Sequence, residues 1–232
     1  MAGPIIFGEA MVGRARLENG NSVMTIHSMK TSGSEVIQGS TSSVLASIHD
    51  PATALSIWNR GLVDASLTDA ADIACERSID FVSNIDLLAK GGREQFYKDV
   101  SDELHGSIAP IADDLVELAR LVYCTCGMAP QRVRLETVRD DGCCLFHYDN
   151  VIMRLVVAYR GPGTQWVASE FSDVASAQQK KFAGPINELQ TGDVALFRGR
   201  QSADGAMTLH RSPPLGDKAL VRLVGVIDFK ST

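Results

Sequence analysis

The chain changes its hydrophobic period at Arg132, and that change constrains its fold more than any other feature. From there onward "RVRLETV" alternates, "VIMRLVVAY" is a short apolar run, "TQWVAS" is short and extended, and "DVALF" and "LVRLVGVIDF" follow. Gly, Pro and Asp clusters separate these pieces at short intervals. Alternation places successive side chains on opposite faces of a strand. Several short strands with turn signals between them predict a β-sandwich or barrel, here a jelly roll.

Upstream the period is helical. Ile108, Ile111, Leu115, Leu118 and Val122 recur at helical spacing and define one buried face, which Gly127 and Pro130 terminate. In "HDPATALSIWNR" Asp50 reads as an N-cap, with Pro51 at the first helical position. Thr31–Ser43, rich in Ser, Thr and Gly, reads as a loop. The expected class is therefore α+β, a helical N-terminal half packed on a C-terminal β core. The expected organisation is an extension over 1–40, partly mobile, a helical segment over 41–130 and the β core over 131–232. Residues 41–232 are expected to form one compact domain.

Composition narrows the function. A hydrophobic content of 45% is enough for a sizeable core in 232 residues. A formal charge of −6 without a basic cluster argues against a nucleic-acid partner. No run of about 18 apolar residues predicts a membrane span, and the N-terminus does not read as a signal peptide. The five cysteines are odd in number, and Cys124, Cys126, Cys143 and Cys144 sit as C-x-C and C-C. Such pairs suit a reducing compartment, so the expected location is the cytoplasm.

The chemistry centres on "CLFHYDN". On a strand, His147 and Asp149 would point the same way, about 6.7 Å apart along the chain, with Tyr148 turned away. Taken alone, the pair reads first as a satisfied imidazole followed by a turn-capping carboxylate. His210 in "TLHRSPP" changes the balance. Two His and one carboxylate on one face of a metal form the facial triad of non-haem Fe(II) oxygenases, and Arg222 on the last strand would supply a planar fork for a carboxylate. Arg154 and Arg160 compete for that role, and Tyr159 alternates with Arg160, so one of those two faces the pocket. Trp166 is either a pocket wall or a core aromatic. His27, His49 and His105 have no neighbouring ligands at useful spacing.

Together, H-x-D, G-D-x-x-L-F, L-H-x-S-P and a strand carrying Arg resemble the Fe(II)/2-oxoglutarate-dependent dioxygenase superfamily over Arg132–Phe229. At closer range "VLASIHDPATALSIWNR", "CLFHYDN", "RLVVAYRGPGTQW" and "LHRSPP" resemble a bacterial family, domain of unknown function 1826. The resemblance implies a double-stranded β-helix of cupin-like form, with His147, Asp149 and His210 as iron ligands. It also implies Arg222 as the partner of 2-oxoglutarate; Tyr159 and Arg154 stay as further cosubstrate candidates, and Trp166 and Arg160 as candidates for a substrate pocket. The implied activity is oxygenation of a small molecule or a protein side chain. Two other readings stay open. One is a non-catalytic cupin-like protein of metal homeostasis, with zinc held through thiolates such as Cys124, Cys126 or Cys144. The other is an interaction module without a metal.

Overall fold

The computed structural model describes residues 35–231 except 62–63, 85–88, 93, 97, 100–105 and 217–219. Two sheets face each other. The larger has seven strands in the order β1-β2-β8-β5-β10-β4-β3, and the smaller has three in the order β7-β6-β9. The large sheet comprises β1 (Glu35–Gly39), β2 (Thr53–Trp58), β3 (Asp80–Ser83), β4 (Met128–Val138), β5 (Met153–Arg160), β8 (Val194–Arg198) and β10 (Arg222–Ser231). The small sheet comprises β6 (Gln165–Trp166), β7 (Asn187–Glu188) and β9 (His210–Arg211). All pairings are antiparallel except β1 with β2.

The strands expected after Arg132 form, and their alternation sorts the side chains cleanly. On β5, Met153, Leu155, Val157 and Tyr159 enter the main core, as do Leu223, Ile227 and Phe229 of β10. Helices α1 (Ala65–Glu76) and α2 (Ala109–Cys126) cover that face. Ile111, Leu115, Leu118 and Val122 of α2 are buried there, and Gly127 closes the helix with a left-handed φ of 64°. The opposite residues, Arg154 and Val156 on β5 and Arg222, Val224 and Val226 on β10, look toward the small sheet.

The N-terminal half departs from the helical expectation. Residues 35–39, expected within a loop, are the edge strand β1, and 53–58 are β2, buried between β1 and β8 rather than helical. Asp50 accepts from the Ala52 amide at 2.9 Å, and so turns the chain out of a 3-10 helix (Ser42–His49) and into the strand. β2 is buried on both faces, so "TALSIW" shows no polar–apolar alternation, while Asp50-Pro51 imitates a helix start. His27 and His105 lie outside the described residues, and the His49 ring donates to the Thr125 carbonyl. No helix among the described residues is long and apolar enough to cross a membrane.

Candidate metal centre

"CLFHYDN" is not a regular strand but an extended segment with a single bridge to β9. The amide of His147 donates to the His210 carbonyl at 2.9 Å, and the amide of His210 returns a bond of 3.1 Å. A bridged pair presents its side chains on one face, so the two imidazoles lie side by side with centroids 4.7 Å apart. Phe197 of β8 backs His210 from the other side at 4.5 Å. Phe146 and Tyr148 point away, into a separate apolar cluster with Val167, Phe182 and Leu209.

Asp149 is fixed through its backbone. Its carbonyl accepts from the Arg200 amide at 2.9 Å, at the turn that follows β8. A Cβ at Gly199 would stand 2.1 Å from the Val151 carbonyl oxygen, so this close approach requires glycine.

His147, Asp149 and His210 each offer one ligand atom, and these atoms all lie within 4.8 Å of one another. Among the described residues this is the only group of three or more His, Cys, Asp or Glu so arranged. Both imidazoles are committed to one tautomer. Each Nδ1 lies against a carbonyl two residues earlier, Leu145 at 2.8 Å and Thr208 at 3.0 Å. A carbonyl can only accept, so Nδ1 carries the proton and Nε2 keeps its lone pair for the centre. His210 Nε2 lies 3.2 Å and His147 Nε2 3.8 Å from the Asp149 carboxylate. Asp149 Oδ2 is buried without a hydrogen-bond partner. An orphaned carboxylate oxygen beside two unprotonated imidazole nitrogens is a donor set suited to a divalent cation.

The electrostatics favour that state. Burial would raise the Asp149 carboxyl, but the positive charge beside it, Arg154 included, holds it below the usual range. Burial, reinforced by the neighbouring His210, lowers His147 and favours its neutral form. Arg154 bonds Asp149 Oδ1 through Nη1, and grips Asp228 through Nε at 2.6 Å and Nη2 at 3.0 Å. Although burial disfavours its charge, these two carboxylates hold the Arg154 guanidinium above its ordinary value. Arg154 is thus committed to the support of Asp149 and leaves no fork for a cosubstrate. Asp228 completes that support.

The centre opens into a cleft of about 390 Å³ floored by Val156, Val224 and Val226. Arg222 lies in its wall with only 1% exposure. Its Nε donates to the Pro162 carbonyl at 2.7 Å, while Nη1 is buried without a partner. A Cβ at Gly161 would come 3.0 Å from Arg222 Cγ, so this glycine lets the loop close over the arginine. Burial pulls the guanidinium down to about 10, because the charge of Glu188 returns only part of the lost solvation.

Other expected residues lie elsewhere. Tyr159 faces the helical side of the sheet, where its hydroxyl donates to Asp114 at 2.7 Å beside Arg60. Arg160 is half-exposed against Asp72. Trp166 is half-buried against the Leu55 and Phe197 cluster and does not line the cleft. All five cysteines are free, and burial pushes the Cys126 thiol up to about 11.

The two-sheet fold is similar to that of several solved structures at low sequence identity. The likeness extends to the dioxygenase for auxin oxidation 1 from Arabidopsis thaliana in its 2-oxoglutarate complex. That match has a TM-score of 0.50 and 11% identity, over 85% of this chain and 92% of that one. A Pseudomonas putida prolyl-4-hydroxylase matches at TM-score 0.41 and 13% identity, over 81% of this chain and 94% of that one. The non-heme alpha-ketoglutarate-dependent carbocyclase SnoK from nogalamycin biosynthesis matches at 0.43 and 12%, over 82% and 84%. No curated protein sequence matches the chain. Residues 39–228 match the family described as "Protein of unknown function (DUF1826)", and the chain belongs to that family.

Proposed function

We propose that this protein is an Fe(II)/2-oxoglutarate-dependent oxygenase, acting in the cytoplasm on a small molecule or a protein side chain. The observation that carries the reading is one shared cleft. It holds three converging ligand atoms with an orphaned carboxylate oxygen, and a buried guanidinium with an orphaned N–H.

Bound at His147, Asp149 and His210, Fe(II) would supply O2 activation, coupling decarboxylation of the 2-oxo acid to succinate and CO2 with hydroxylation of a substrate C–H bond. The protein's own residues do the rest. The Leu145 and Thr208 carbonyls hold both imidazoles with Nε2 unprotonated. Arg154 occupies one oxygen of Asp149 and leaves the other for the metal. Arg222 offers a desolvated cation to the far carboxylate of the cosubstrate, where a charge-assisted pair is stronger than in water. The valine floor limits the water that reaches the reacting atoms.

The test is succinate formation from 2-oxoglutarate in the presence of Fe(II), O2 and ascorbate. The reading predicts slow uncoupled turnover by the wild type and none by His147→Ala or His210→Ala. Equal succinate from wild type and both variants would overturn it.

A further inference from the structure

The cleft has a second polar wall that the iron and the cosubstrate do not use. Alternation on β4 turns Arg134 and Glu136 into the cleft beside Val226 and Val224 of β10. Across the sheet edge, Asp80 of β3 pairs with Glu136 and lines the same cleft. Arg134 is poorly satisfied. Its Nη1 lies 3.5 Å from Glu136 Oε1, at the limit of a hydrogen bond, and its Nε is buried without a partner. A buried donor left unmade is destabilising, and a planar acceptor removes that cost.

We propose that this wall is the head-group site for the oxygenase substrate, and that the substrate is a free aliphatic α-amino acid. The proposal rests on the oxygenase reading above. A simple acid would satisfy Arg134 but would meet the negative charges of Glu136 and Asp80. A simple amine would leave the orphaned guanidinium N–H unpaired. A zwitterion answers both, its carboxylate on Arg134 and its ammonium between Glu136 and Asp80.

The surface between this wall and the triad specifies the side chain. Arg134 pairs with Val226, which pairs with Val156 of β5, so the floor crossed from β4 to β5 is apolar. Two strand spacings cover about 10 Å, room for one amino acid laid across the valines with its side chain toward the metal centre. Arg222 stands opposite Val138, four residues along β4 from Arg134 and hence about 13 Å away. The substrate and cosubstrate carboxylates would therefore be taken by different arginines.

Calorimetric titration of the intact protein loaded with Mn(II) and 2-oxoglutarate tests this, with L-leucine, L-isoleucine, L-valine and L-methionine as probes. At least one is expected to bind with a Kd of about 1 mM or tighter, and its N-acetyl and carboxamide forms to bind at least about tenfold more weakly. Arg134→Met and Glu136→Gln are each expected to weaken the free amino acid at least about tenfold and leave 2-oxoglutarate affinity unchanged, which also shows that the variants are folded. The proposal is overturned if none of the four binds while 2-oxoglutarate does, or if the blocked forms bind as well as the free ones. Failure of the wild type to take up 2-oxoglutarate at all would instead overturn the oxygenase reading on which the proposal stands.

Discussion

His147 and His210 sit side by side because each backbone amide donates to the other's carbonyl. The partner on the other side of this segment is a side chain. Gln179 Oε1 accepts from the Phe146 amide at 2.7 Å, and its Nε2 donates to the Phe146 carbonyl at 3.2 Å. One glutamine thus substitutes for a neighbouring strand, and it does so from a left-handed backbone with φ of 53°. Gln179→Ala and Gln179→Gly should both weaken metal binding by about tenfold, the usual scale for losing support of a ligand. The glycine variant should unfold at higher denaturant than the alanine variant, by about 1 kcal/mol, because it adopts that φ freely. Metal titration and urea unfolding of both variants check this.

Arg154 joins Asp149 to Asp228, and removing it leaves two buried carboxylates without their cation. Arg154→Met should cost the metal-free protein about 3–5 kcal/mol, as expected when one partner of a buried ion network is lost. Metal affinity should fall about 10–100-fold as Asp149 loses its orientation. A double variant, Arg154→Met with Asp228→Asn, should recover part of the stability and little of the metal affinity. Chemical denaturation alongside metal titration separates the two effects.

Arg222 should behave in the opposite way. On the proposed function, its buried, half-satisfied charge would serve a ligand rather than the fold. Arg222→Met should change the stability of the ligand-free protein by less than about 1 kcal/mol. The same change should weaken 2-oxoglutarate at least about thirtyfold, the scale for removing one member of a desolvated charge pair. Thermal shift with and without 2-oxoglutarate reads both quantities.

The metal-free centre should be acid-sensitive. His147 is lowered from its usual 6.5, so the stability it contributes is present above that value and lost as pH falls through its folded value. Asp149, lowered from 3.8, likewise contributes above that pH and loses its contribution as pH falls through its own folded value. Both therefore act in the same direction, first His147 and then Asp149. The ring of His147 is 41% exposed, so its part of the slope is small. Unfolding free energy measured from pH 7 downward should decline below about 6.5, and His147→Ala should flatten the first part of that decline.

Residues whose roles follow from local pattern were legible in the sequence. The buried stripe of α2 is read directly, whereas the apolar run of β5 does not by itself show that Leu155 and Val157 face the core while Arg154 and Val156 face the cleft. The H-x-D spacing with a later His identifies the three residues that the fold brings together, although one bridge to β9 aligns them rather than a regular strand. What stayed hidden depends on register between distant strands. Arg154 meets Asp228 only because β5 pairs with β10 at that step, 74 residues apart in sequence. Nothing local distinguishes it from a free guanidinium. Tyr159 lay one step out of phase with the cleft, and its Asp114 partner comes from a helix 45 residues earlier. Gln179 carries no motif at all, and "TALSIW" lacks the alternation that would have marked β2 as a strand.

The most direct measurement is anaerobic titration of the purified protein with Fe(II) and 2-oxoglutarate, followed by visible absorption. Chelation of the iron by the 2-oxo acid gives a weak metal-to-ligand charge-transfer band. The wild type is predicted to develop it with one iron and one cosubstrate per chain, Arg222→Met to need far more 2-oxoglutarate, and Asp149→Ala to show none. A wild type that binds neither iron nor 2-oxoglutarate, or whose band is unchanged in Asp149→Ala, would contradict the account.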